Sequence, residues 1–213
     1  MRHATTSLAA LALVLVGGCQ RNLEIDSSGG VSTVRSACPA VGIPAGTGDI
    51  TLFNPENSRT ADAIDVTASI TNLRTQCGDQ GDQIVSRTTF DVQAQRRDNR
   101  GARQVVLPYY ASVVQGGTSV VAKRVSRVTL SFADGQYRAT AQGEASGVVS
   151  RAAATIPAEI EAQITRRRRP GDADAAVDPL ADPTVRQAVA RASFELLVGF
   201  ALTPEQLRYN VTR

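Results

Sequence analysis

The 213-residue chain contains no tryptophan, one histidine, one methionine and three cysteines, and aromatic residues make up 4% of it. The histidine is His3 and the methionine is Met1, both inside an N-terminal stretch with the proportions of a cleavable signal. Counted from Cys19, the working chain is about 195 residues, enough for one domain with extensions, and it has no His, Met or Trp. That lack removes His-based acid–base catalysis, Ser/His/Asp and Cys/His nucleophile systems, and His-ligated metal sites. With so few aromatics, the core must be mostly Val, Ile, Leu and Ala. Lysine is almost absent too, Lys123 being the single one, and no basic stripe interleaved with aromatics is present, which sets nucleic-acid readers aside. No phosphate-binding loop or dinucleotide glycine pattern occurs, and no cofactor or metal is expected.

Long apolar runs are missing as well. The N-terminal one, Leu8–Val16, is nine residues and too short for a spanning helix, which needs about 20. Arg2, this run, the small pair Gly17-Gly18 and then Cys19 follow the order of a secretory signal. The ending Val16-Gly17-Gly18-Cys19 resembles the lipobox of bacterial lipoproteins. The resemblance implies removal of residues 1–18, diacylglyceryl transfer to the Cys19 thiol and acylation of its new amino group. It makes the membrane a partner through the lipid anchor, since two or more acyl chains anchor stably where one does not. Gln20, where the Gram-negative sorting rule retains an Asp in the inner membrane, implies the outer membrane.

After the anchor, residues 19–37 form a tether with a Ser-Ser-Gly-Gly centre and no sustained period. Such a segment spans on average about 20–25 Å. Cys38 and Cys77 are the thiols that remain. An exported chain meets an oxidising compartment, so the two are expected to form a disulfide. Closing a loop of about 40 residues stabilises by about 4 kcal/mol in the chain-entropy model. A redox or metal thiol pair lacks both CxxC spacing and a His partner.

From 38 to 213 the pattern is all-β. Ile64, Val66, Ala68 and Ile70 alternate with Asp65, Thr67, Ser69 and Thr71. The same alternation recurs at Ile84, Thr88, Phe90, Val92 and Ala94, at Val128, Leu130 and Phe132, at Tyr137, Ala139 and Ala141, and at Phe194, Leu196, Val198 and Phe200. Turn residues separate these runs at 78–81, 98–101, 116–117 and 134–135. Asp134-Gly135 reads as a hairpin turn, because a two-residue loop of that type needs positive φ. With 49–53 and 103–114 the count reaches seven or eight strands, the signature of an immunoglobulin- or fibronectin-like β-sandwich, with a small barrel as the alternative. Two short C-terminal helices are expected, one starting at Asp182-Pro183 and one at the capping box Thr203–Gln206. The segment from Ile156 to Ile164 fits both periods and is read as a strand.

Four chemistries deserve a place in the reading. Arg166, Arg167, Arg168 and Arg169 invite an anion, but Asp172, Asp174, Asp178 and Asp182 follow in an irregular insertion at about 165–183, so the segment is locally neutral. Lys123 shares parity with Val121 and Val125 but not with Val128, a conflict that a bulge near 124–126 would resolve. It reads as an outward lysine guarding a strand edge rather than a base for a serine. Glu159 and Glu161 would share one side of a strand, as a carboxylate pair must. Of Tyr109 and Tyr110, adjacent strand residues, one at most can offer an open aromatic platform.

These residues point to a non-enzymatic envelope lipoprotein on the periplasmic side of the outer membrane. Its domain is expected to act by contact with another envelope protein, through exposed strand edges or the 166–182 loop. A glycan- or lipid-headgroup-binding module is the alternative. An enzyme built on carboxylates or Lys123 comes third.

Overall fold

Strands form where polarity alternates, and the apolar parity is the buried one. The computed structural model describes residues 37–166 and 168–212. The signal segment and Cys19 therefore lie outside the described residues, as does Arg167. Eight strands make up the body: β1 (Ala40–Gly42), β2 (Asp49–Phe53), β3 (Ile64–Gln80), β4 (Gln83–Arg96), β5 (Arg103–Gln115), β6 (Ser119–Phe132), β7 (Arg138–Ser150) and β8 (Phe194–Phe200). Four helices accompany them: α1 (Arg151–Ala154), α2 (Ala158–Thr165), α3 (Pro183–Arg191) and α4 (Pro204–Thr212).

The strands sort into two four-stranded sheets, ordered β1-β8-β5-β6 and β2-β3-β4-β7. Neighbours run antiparallel except β1 beside β8, which is parallel. Inward residues of both sheets share one core, with Ile50, Val66, Phe90 and Val92 from one and Leu107, Leu130, Phe132, Leu196 and Phe200 from the other. Burying each such side chain contributes about 1.5–3 kcal/mol, and that is why the alternation dictates which face turns inward. Cys38, just ahead of β1, is bonded to Cys77 on β3, so the disulfide ties the two sheets to each other.

The turns do something the local signals did not foretell. Asp134-Gly135 has the expected positive φ (76°) at its glycine, yet it closes no hairpin. It carries the chain from β6 in one sheet to β7 in the other, and residues 98–101 likewise cross from β4 to β5. The reason is Arg96, a charged side chain only 1% exposed in the core. Its guanidinium donates to the carbonyls of Asn99 (2.7 Å), Gly101 (2.9 Å), Ala133 (2.9 Å) and Gln136 (2.8 Å). Five fixed donors on one planar group can gather carbonyls from both crossings, which no two-residue hairpin loop would present together.

Two further expectations need correction. Ile156–Ile164 is not a strand: Pro157 caps the helix α2, and Ile160 buries with Val185, Ala188 and Val189 of α3, with Ile156 and Ile164 packed alongside. Isoleucines four apart lie on one helical face, and a second, small core was there to receive them. The register irregularity of β6 is also not at 124–126. Pairing with β5 is continuous from Lys123 to Phe132, and the extra residue is Val121, between the pairs Val113–Ala122 and Val114–Val120. The expected caps are present: Asp182 accepts from the Thr184 N–H (2.7 Å), and Thr203 and Gln206 bond reciprocally through side chain and backbone.

Candidate functional site

Within the arginine-rich insertion, Arg166 and Arg168 both turn to one aspartate. Asp174 accepts hydrogen bonds from both Arg166 and Arg168, and Asp172 accepts from the Arg169 backbone N–H (2.9 Å). Arg166, Arg168, Asp174, Asp178 and Asp182 line a cleft of about 280 Å³ in which the charges of both signs are mixed. Asp174 thus pairs with two of the arginines, while Asp178 and Asp182 accept from the backbone N–H groups of Leu180 and Thr184.

The other sequence candidates do not converge. Glu159 and Glu161 are exposed on α2, where residues two apart point about 200° away from each other, so they form no carboxylate pair. Tyr109 is buried and its hydroxyl donates to the Glu144 carbonyl of β7 (2.8 Å). Tyr110 faces outward, half-buried, with the Lys123 ammonium 5.0 Å from its ring centroid and its hydroxyl 3.4 Å from that of Thr47. Neither tyrosine is an open platform. Lys123 itself is exposed, a cation resting on an aromatic face rather than a base in a cavity.

A larger cleft, about 420 Å³, opens between residues 54–65 and 97–100 beside Tyr137. Its carboxylates are already engaged. Asp65 receives two hydrogen bonds from Arg103 (2.7 and 2.6 Å), and the Arg100 guanidinium and backbone N–H hold Asp98 far below the usual carboxylate range. A hydrogen bond from the Thr60 side chain, then one from its own backbone, lowers Asp62. Among the described residues no group of three or more His, Cys, Asp or Glu side chains is arranged to hold a metal ion.

The β6 edge differs from all of these because, among the described residues, nothing covers it. From Ser119 to Arg127 every residue is exposed, on both faces of the strand, whereas Val128, Leu130 and Phe132 in the second half are buried. β6 ends its sheet, so among the described residues its outer row of backbone N–H and C=O groups has no strand to pair with. Val125 is 59% exposed and Val120 60%. One face reads Lys123-Val125-Arg127 and the other Ala122-Arg124-Ser126, because neighbours alternate. Among the described residues neither Arg124 nor Arg127 has an acidic partner, and Lys123 has only the Tyr110 ring. The signal in sequence was the loss of alternation over 120–127, with valines on both parities. It registered as a conflict of register; it is the mark of a strand with no buried face.

No protein-family model, curated protein or solved structure matches the chain.

Proposed function

We propose that the chain is a lipid-anchored protein of the bacterial envelope whose two-sheet body works by binding another protein, not by catalysis. The lipobox-like residues 16–19 support the anchor, and Gln20 supports the outer membrane. The observation that carries the binding role is the open edge of β6, a long strand exposed on both faces in its first half. A strand edge is a template for another chain, and Lys123, Arg124 and Arg127 on this one guard it against a second copy without closing it to a partner of opposite charge.

The architecture is an immunoglobulin-like sandwich in the general sense, supported by two mostly antiparallel four-stranded sheets around one core. Its connections are its own. A constant-type domain sorts strands one, two, five and four against three, six and seven, while β2-β3-β4-β7 here opposes β1-β8-β5-β6. A glycan-binding role would need an aromatic platform, and Tyr110 carries Lys123 across its ring.

Two measurements test the proposal. Labelled palmitate should be incorporated by the wild-type protein in cells and not by Cys19→Ala; equal labelling of both refutes the anchor. A photo-crosslinking residue at Val125 in the living cell should capture a defined envelope protein. Capture of polysaccharide in its place refutes the protein-binding role.

A further inference from the structure

We infer that the outer edge of β6 between Ser119 and Arg127 accepts an extended acidic segment of a partner protein as an added strand. The inference deepens the protein-binding reading above and rests on it. Strand addition draws its affinity from main-chain hydrogen bonds and its selectivity from alternate side chains. Both are available here. Among the described residues the edge strand presents unpaired backbone groups between Ser119 and Arg127, and its regular part beyond the Val121 irregularity, Ala122 to Arg127, is long enough for an ordinary strand of about five or six to pair.

Charge decides what that strand must look like. Lys123, Arg124 and Arg127 are the only charged residues of β6, all positive, and no acidic side chain of the body compensates Arg124 or Arg127. A second copy of β6 would set these cations against themselves, and like charges directly opposite on paired strands are unfavourable. A partner strand with acidic residues across from Lys123 and Arg127, and an apolar residue between them over Val125, meets opposite charge at both ends and buries the exposed valine. A third acidic residue on its other face lies opposite Arg124. The acceptable partner is therefore extended and free of proline, with acidic residues opposite Lys123, Arg124 and Arg127 and an apolar residue over Val125. Cations that guard an edge against its own kind leave it open to the opposite sign.

The test uses the full lipidated chain in neutral-detergent micelles and three fluorescein-labelled eight-residue peptides. One contains Glu-Ser-Val-Glu-Glu, which in an antiparallel pairing sets Glu opposite Arg127, Arg124 and Lys123 and Val over Val125 (the Glu–Val peptide), one carries Lys in place of each Glu, and one is the Glu–Val peptide with a central proline. Binding is followed by anisotropy and localised by backbone hydrogen exchange. The Glu–Val peptide should slow exchange selectively within 119–127 and bind at least tenfold more tightly than either control. Replacing Lys123, Arg124 and Arg127 together by Gln should weaken it about tenfold, and replacing all three by Glu should abolish it, with circular dichroism unchanged because all three side chains are exposed.

Five results overturn the inference. Equal binding of the three peptides removes the selectivity, and protection confined to another segment removes the site. Protection of 119–127 that rises with protein concentration alone assigns the edge to a second copy. Equal protection by phosphatidylglycerol vesicles assigns it to a lipid surface. If the Glu–Val peptide fails while crosslinking in cells still captures an envelope protein, the strand-addition inference falls and the protein-binding function stands. If the peptide binds at 119–127 and no protein is captured in cells, the site stands and the cellular role falls.

Discussion

The Arg96 guanidinium lies 5.2 Å from the ring centroid of Phe132, and both side chains are almost wholly buried. The ring covers one side of a cation whose donors are spent on four backbone carbonyls, with no carboxylate among them. Those carbonyls belong to the two places where the chain passes between sheets, so Arg96 holds the crossings in register. Replacing it by Met leaves four acceptors without their donor, and breaking a buried charged group's network costs about 3–5 kcal/mol. Arg96→Met should lower the thermal midpoint by about 6–20 °C, and Arg96→Lys by less, since an ammonium restores up to three donors. A midpoint within 2 °C or so of wild type for the Met variant would show that the crossings hold without it.

The disulfide between Cys38 and Cys77 joins the segment ahead of β1 to β3 in the opposite sheet, across 39 residues of sequence. β1 is three residues long and pairs with β8 at the edge of its sheet, so the disulfide adds a covalent tie to that pairing and to the packing of Val41 on the core. Reduction, or the double substitution Cys38→Ser with Cys77→Ser, should lower stability by about 3–4 kcal/mol in urea unfolding. An unfolding curve that reductant leaves in place would rule out a stabilising role for the bond.

What the residues disclosed, and what they hid, follows from range. Alternation at Ile64–Ile70, Phe90–Ala94 and Val128–Phe132 is a local property, and burial followed it. The caps at Asp182 and Thr203 are local too. The segment from Ile156 to Ile164 was ambiguous because isoleucines at steps of four satisfy both periods, and the decision came from α3, some 25 residues away, which supplied the apolar face. Asp134-Gly135 announced a tight turn but not its destination, because the donor that sets the destination is Arg96, nearly 40 residues earlier. Arg96 itself gave no sign in the sequence: an arginine ending a strand beside Arg97 reads as surface. The β6 edge was legible only in reverse, as a stretch where alternation failed.

The absence of histidine from the body leaves nothing to titrate near neutrality except through the termini, so stability should be flat from about pH 5.5 to 8. Acid is different. Asp98 is lowered chiefly by its hydrogen bond with Arg100, Asp62 by that with Thr60, and Glu205 by its own backbone N–H at the start of α4 and then by Thr203. A carboxylate depressed in the folded state contributes in full above its unfolded value, about 3.9 for Asp and 4.3 for Glu, and the contribution is lost as pH falls through the folded value. The midpoint of thermal unfolding should therefore begin to fall only below about pH 4, and Asp98→Asn should make that fall shallower. A rise or fall between pH 6 and 7 would contradict the assignment.

Gly143 on β7 pairs with Phe90 on β4, and the phenyl ring passes directly over the glycine. A methyl built on Gly143 would come within 2.2 Å of Phe90 Cζ and 2.4 Å of Cε2, a distance no real contact adopts. The backbone there needs no positive φ; what it needs is the missing side chain, because the ring continues past it to meet Tyr109 edge-on, 5.1 Å between centroids at 82°. Tyr109 in turn donates to Glu144 on β7, so the ring, the gap and the hydroxyl close one circuit between the sheets. Gly143→Ala should cost about 1–3 kcal/mol by forcing Phe90 off its position. Phe90→Leu alone should cost a comparable amount through lost packing. The two together should cost less than their sum, because the smaller side chain leaves room for the added methyl, and contacting sites couple by about 0.5–3 kcal/mol. Strict additivity in urea unfolding of the four proteins would mean that the ring does not lie over the glycine in solution.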